Sequence, residues 1–179
     1  MSINFSQVRT SLYNWVIANI PEGMPAIYLY SNSPRPTVDY CSIYISSVVQ
    51  IGWDYTQDPT DDSGIAQMTG DREFTVQIQC YGDDPLTVLN NLRTSLQKQT
   101  VLDSLRAVGV VFANWFPVND ITALVDSRFE QRGSLDILFR MADLYTDSLG
   151  VIDTVNVGEE IYDPAGDLIY SATQQIPPT

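Results

Sequence analysis

The chain has 179 residues, 44% of them apolar, and a formal net charge of −13, with nine Lys and Arg set against 22 Asp and Glu. That length fits one domain with room for an added tail, and the charge argues against a protein that reads DNA or RNA, because basic patches supply most of that affinity. Histidine is missing altogether, which removes the usual general base, the commonest metal ligand and the physiological pH switch. No run approaches eighteen apolar residues, so no membrane span is expected. The opening "MSINFSQVRTSLYNWVIANI" lacks the basic and apolar regions of a signal peptide. Cys41 and Cys80 are therefore expected as reduced thiols in a cytoplasmic setting.

The first predicted element is an amphipathic helix. Phe5, Val8, Leu12, Trp15, Val16 and Ile20 recur at helical spacing, Ser2 or Asn4 supplies a cap, and "IPEGMP" ends it. A short strand, "AIYLY" at 26–30, and a proline-fixed loop, "SNSPRPTVD", follow. Then comes a long strand over 40–55. Its inner face is expected to carry Cys41, Ile43, Ile45, Ser47, Val49, Ile51 and Trp53, its outer face Tyr40, Ser42, Tyr44, Ser46 and Gln50. After "TQDPTDDSG" a second run, 66–81, alternates Phe74, Val76, Ile78 and Cys80 with Thr75, Gln77, Gln79 and Tyr81.

Together these runs predict an antiparallel hairpin with arms longer than the usual five or six residues. Symmetry about the loop puts Ile45 opposite Val76, Ile43 opposite Ile78 and Cys41 opposite Cys80, unless a bulge near Gly52 or Gly70 shifts the register. The cysteines are then expected to pack unbonded as small apolar residues. Towards the loop the hairpin becomes acidic. Asp54, Asp58, Asp61, Asp62, Asp71 and Glu73 are accompanied by Arg72 alone, so this arm is expected to project into solvent or onto a neighbouring subunit.

A second helix starts at "DDPL", with Asp83 or Asp84 as cap and Pro85 at its first position, and buries Leu86, Leu89, Leu92 and Leu96. The segment "TVLDSLRAVG" leads to a strand, "VGVVFANWF". After "VNDITAL", the strand "GSLDILFRMADLY" follows, with Leu135, Ile137, Phe139 and Met141 facing inwards. From Gly150 the chain holds acids and no Lys or Arg; "VIDTVNVG" fits one more edge strand. The order predicts an α+β fold: a mostly antiparallel sheet with a long projecting β-hairpin, flanked by two main helices. Residues 1–158 form the domain and 159–179 an acidic, extended C-terminal tail.

Little here points to catalysis. "DPTDDSG" lacks the spacing of a calcium loop, and "DPAGD" at 163–167 reads as a turn. Cys41 and Cys80 have neither a histidine partner nor CxxC spacing. Neither GxGxxG nor GxxxxGK[ST] occurs. No catalytic, cofactor or metal residue is therefore assigned. A carboxylate-based enzyme stays open as a reading from another class, requiring a pocket with two convergent acids. Asp136 beside Arg140 reads as such a pair or, more simply, as a salt bridge across strands or subunits.

Interaction surfaces are better marked. Tyr44, Trp53 and Tyr55 stand among polar residues without interleaved bases, a pattern of protein–protein contact rather than of base stacking. Arg128, Glu130 and Arg132 alternate along an extended stretch, with Phe129 directed to the core and Arg140 further on. Such a strip suits docking of an acidic surface. The chain owns such surfaces in its tail and in the arm with Asp54, Asp71, Arg72 and Glu73. The alternative is a bridge within one subunit, Glu130–Arg132 against a neighbouring strand.

Residues 118–142, "VNDITALVDSRFEQRGSLDILFRMA", resemble a segment of phage neck and tail terminator proteins. The match is carried by Asp120, Ile121, Thr122, Leu124, Phe129, Glu130, Arg132, Leu135 and Asp136, with Gly133 where the family would have alanine. The opening helix, the hairpin ending "FTVQIQCYG" and the "DPL" helix start also fit. The resemblance spans about 1–158. It implies a non-enzymatic structural protein of the virion, assembled in the host cytoplasm into a homohexameric ring at the neck. Such a ring caps the tail tube, joins it to the head-side connector and lets genomic DNA pass without specific binding. Its partners would be itself, the tail tube protein and a head-completion or neck protein. A minor tail or baseplate component is the alternative.

Overall fold

In a computed structural model, residues 3–32, 34–57, 64–150 and 155–176 are described. The chain runs α1 (Phe5–Ile17), β1 (Ala26–Tyr28), β2 (Tyr40–Thr56), β3 (Ile65–Tyr81), α2 (Pro85–Ser95), α3 (Gln99–Arg106), β4 (Val111–Trp115), β5 (Asn119–Asp120), β6 (Ala123–Val125), β7 (Arg128–Glu130), β8 (Arg132–Ser148), β9 (Val155–Tyr162) and β10 (Leu168–Ile176). It is an α+β fold with a mostly antiparallel sheet. Two compact units are distinguished. One comprises residues up to 55 together with 68–145, and the other joins 56–67 to 146–179.

Local chemistry explains the helices. Asn4 caps α1 by accepting hydrogen bonds from the Ser6 and Gln7 amides at 3.1 and 3.3 Å. Asp84 caps α2 through the Thr87 amide at 3.3 Å, with Pro85 at the first helical position. The α1 stripe Val8, Leu12, Trp15 and Val16 is buried as its spacing predicts. In α2 the buried stripe is Val88, Leu89, Leu92 and Leu96, whereas Leu86 is 40% exposed, one position off the covered face. The segment after α2 folds into the short α3, which buries Leu105.

The main sheet has the order β1-β2-β3-β8-β4, with β5 also paired to β8. β1 lies parallel to β2, and β4 antiparallel to β8. β2, β3 and β8 are each 17 residues long. Thus β8 runs beside the hairpin arm instead of leaving it two-stranded. The core holds Ile43, Phe74, Val76, Ile78, Leu135, Ile137, Phe139 and the α1 and α2 stripes. It is tied by rings: Phe74 stacks on Phe139 at 5.6 Å, Phe5 meets Phe74 edge-on, and Trp15 meets Phe139 edge-on. Trp15 also donates to the buried Ser95 hydroxyl at 2.9 Å.

Two expectations need correction. Cys41 and Cys80 are joined in a disulfide, Cα atoms 4.2 Å apart; the cross-strand closeness that makes them neighbours also lets them bond. The inner face of β2 is buried only through Ile43 and half-buried at Ile45. Beyond it Val49 is 54% and Trp53 98% exposed, because the apolar layer does not extend that far and Gly52, at φ 67, interrupts the alternation. Towards the C-terminus β9 and β10 pair as an antiparallel ribbon. The residue before the expected boundary, Gly158, lies inside β9.

Candidate interaction surface

Where the apolar layer ends, the same stretch of sheet turns polar. Arg72 on β3 grips Asp54 on β2 with two hydrogen bonds of 2.7 Å, one to each carboxylate oxygen, and lies 3.2 Å from Asp143 on β8. Tyr145 donates to Asp54 at 2.7 Å and Gln50 at 3.0 Å, while the Ile3 amide donates to Asp143. Gly70 is what admits this pair: a Cβ there would overlap Asp54 Oδ1 and Arg72 Nη1. The arm's one arginine therefore satisfies one of the arm's own acids, Asp54, and a docking role for Asp54 and Arg72 would act through the shape they hold. Asp71 is exposed beside them. Among the acids expected in this arm, Asp58, Asp61 and Asp62 lie outside the described residues.

The bidentate guanidinium, followed by the Tyr145 hydroxyl, lowers the Asp54 carboxyl from 3.8 to about 2. This is an ion-pair carboxylate, held ionised at neutral pH rather than poised to donate a proton. Its folded pKa lies below the unfolded one, so its contribution is complete above about 4 and is lost as pH falls through about 2. Asp54→Asn is expected to melt below the parent protein at pH 7, with the gap closing between pH 4 and 2. Thermal melts at stepped pH test this. A gap that stays constant down to pH 2 would mean that the charge is not what the network uses.

The arginines of the 128–140 stretch separate into three fates. Arg140 bonds Glu73 across the β3–β8 ladder, at 2.9 Å from both Nε and Nη2. The Asp136–Arg140 pair does not form; the Asp136 Oδ1 is buried without a hydrogen-bond partner, and its backbone oxygen accepts from Phe116. Arg132 ion-pairs with Glu130, which also holds Arg35. Both arginines lie over tyrosines: Arg35 is 5.5 Å from the Tyr40 ring and 5.2 Å from Tyr81, and Arg132 is 5.3 Å from Tyr81. Tyr40 and Tyr81 themselves stack at 4.5 Å and 7°. Composition alone did not announce this sandwich, because Arg35 comes from a distant loop. Arg128 and Arg140 are exposed and Arg132 is half-buried.

Phe129, expected in the core, is 76% exposed. The strip is not one strand: β7 ends at Glu130 and β8 begins at Arg132, so Phe129 sits on a separate ribbon with β6, paired with Leu124. Trp53 and Tyr55 are exposed at 98% and 65%, and Tyr44 packs edge-on against Tyr30 at 5.4 Å. The "DPAGD" segment is the β9–β10 turn, where Asp163 accepts from the Ala165 and Asp167 amides.

The "ITALVDSRFEQRGSLDI" segment is ordered, and exposed aromatics and ion pairs surround it on this acidic α+β chain. The sequence matches the family described as phage neck terminator protein over residues 6–163. The chain belongs to the phage neck terminator protein family. No curated protein matches it. Membership makes it a structural protein of the phage neck and implies association with other phage tail and neck proteins. Within the segment that carries the resemblance, Gly133 has a local cause. A Cβ there would come 2.7 Å from Leu89 Cδ1 and 3.3 Å from Leu86 Cδ2, so these α2 leucines fill the space alanine would need.

Proposed function

We propose that this terminator protein forms a closed ring that caps the tail tube and joins it to the head-side neck. In this reading it carries no catalytic activity, and it assembles in the host cytoplasm before entering the virion. The observation that carries the reading beyond the family is Trp53. A tryptophan left 98% exposed near the end of a 17-residue strand, with Tyr55 two residues on, supports a protein contact still to be made. Asp71 and the Glu73–Arg140 pair flank that contact on the neighbouring strands, while Tyr44, nine residues back along β2, and Arg128 serve other parts of the subunit boundary. The charge of −13 supports a lumen wall that DNA passes without adhering.

The test is co-assembly with the tail tube protein. Tubes polymerised with the terminator are expected to end in a cap and stop lengthening, as seen by negative stain. Trp53→Asp is expected to weaken capping by roughly thirtyfold or more, as loss of about 2 kcal/mol at an interface anchor would, with melting unchanged. Tubes that grow unhindered would refute the cap, and binding along the tube or at its far end would favour a minor tail or baseplate component.

A further inference from the structure

Two small sheets stand outside the main one, β6–β7 and β9–β10. A two-stranded ribbon is marginal in water unless an apolar face is covered. The register of β9–β10 sorts its side chains cleanly. Val155, Val157, Glu159 and Ile161 share a face with Tyr170, Ala172 and Gln174, while Asn156, Gly158, Glu160, Ser171 and Thr173 occupy the other. On the apolar face Val157, Ile161 and Tyr170 are 49%, 46% and 50% exposed. From 155 to 176 the ribbon holds four acids and no base.

The β6–β7 ribbon is its complement. Leu124 and Phe129 are direct cross-strand partners, 61% and 76% exposed. Arg128 sits at the ribbon's tip beside Phe129, long enough to reach round a two-stranded edge. It is also a cation left available. Arg35, Arg72, Arg106, Arg132 and Arg140 are held in ion pairs, and Arg93 lies over the Trp115 ring. Arg128 has no such partner among the described residues.

We propose that the apolar face of β9–β10 in one copy packs on the Leu124–Phe129 face of β6–β7 in another copy, with Glu159 meeting Arg128. The occupant is a second copy because this chain supplies both halves: two uncovered apolar ribbon faces, one edged by acid and the other by an unpaired arginine. The contact joins two different patches, so it propagates from copy to copy and closes as a ring or continues as a filament. The inference rests on the ring reading above and names the surface that would build it.

Mixing two variants tests it. One chain carries Val157→Cys, the other Phe129→Cys, with Cys41 and Cys80 left bonded. The expected result is a crosslink between the two chains under mild oxidation and a mass by light scattering that is a multiple of 20.0 kDa. Arg128→Glu is expected to cut the crosslink yield about tenfold, and adding Glu159→Arg to restore it. Rings without this crosslink would overturn the contact and leave the ring reading standing. So would a doubly substituted single chain that crosslinks within itself at high dilution, which would show β9–β10 covering β6–β7 of the same copy. Monomers that do not crosslink at the highest concentration reached would overturn it too, and the ring would then be judged by tube capping alone.

Discussion

Phe74→Ala is expected to destabilise the protein by about 3–5 kcal/mol, the usual loss for a large aromatic truncated in a core. Phe74 is wholly buried and touches two elements through rings alone, α1 by Phe5 and β8 by Phe139. Phe139 in turn meets Trp15 of α1 and Phe112 of β4. Removing the ring therefore loosens four elements at one point, and the site cannot collapse without moving a helix. Against a total stability of roughly 5–15 kcal/mol, that loss brings the chain close to unfolding. Thermal or urea melts read it directly, as a fall of roughly 10 °C or more in Tm for a chain of this size. A fall of only a few degrees would mean that neighbouring side chains refill the space and that the cluster is not the keystone of the helix–sheet layer. Phe129→Ala is the control. At 76% exposure it is expected to leave the melt within about 0.5 kcal/mol.

The contrast between these two phenylalanines marks what the sequence made legible. Period-two alternation identified Phe74, Val76, Ile78 and Cys80, and again Leu135, Ile137, Phe139 and Met141, because strands buried on one side leave that pattern unbroken. The same alternation misassigned Phe129 and Trp53. At Phe129 the chain changes ribbons between Glu130 and Arg132; at Trp53 the left-handed Gly52 interrupts the alternation and the apolar cover is already exhausted. Alternation says which residues share a side, but not whether anything covers that side. Long-range pairings were hidden for a related reason. Arg35 reaches Glu130 and the Tyr40–Tyr81 stack from a loop, and Arg140 finds Glu73 rather than Asp136, since strand neighbours are set by topology and not by proximity in the chain. The 118–142 segment fared better as a family signature than as a surface map. It pointed to the right family while two of its charged residues, Glu130 and Arg132, are satisfied within the subunit.

Breaking the Cys41–Cys80 bond gives the other large expected effect. The bond closes a loop of sequence separation 39, and the loop-entropy relation assigns such a closure about 4 kcal/mol. Cys41→Ala with Cys80→Ala is expected to lower Tm by roughly 10 °C. Both cysteines are completely buried, so a reductant is expected to act on the native protein only as fast as the strands open, and then to bring its Tm towards that of the double variant. Thiol labelling in denaturant without reductant should find no reactive cysteine, and with reductant two. The fold itself is expected to survive in the variant, because β2 and β3, each 17 residues long, are paired neighbours and are flanked by core residues on β8. If oxidised and reduced proteins melt together, the ladder alone fixes the unfolded-state loop early and the bond adds nothing. If the thiols label without reductant, the two cysteines pack as apolar neighbours and the stability of this sheet rests on Phe74 and its surrounding rings.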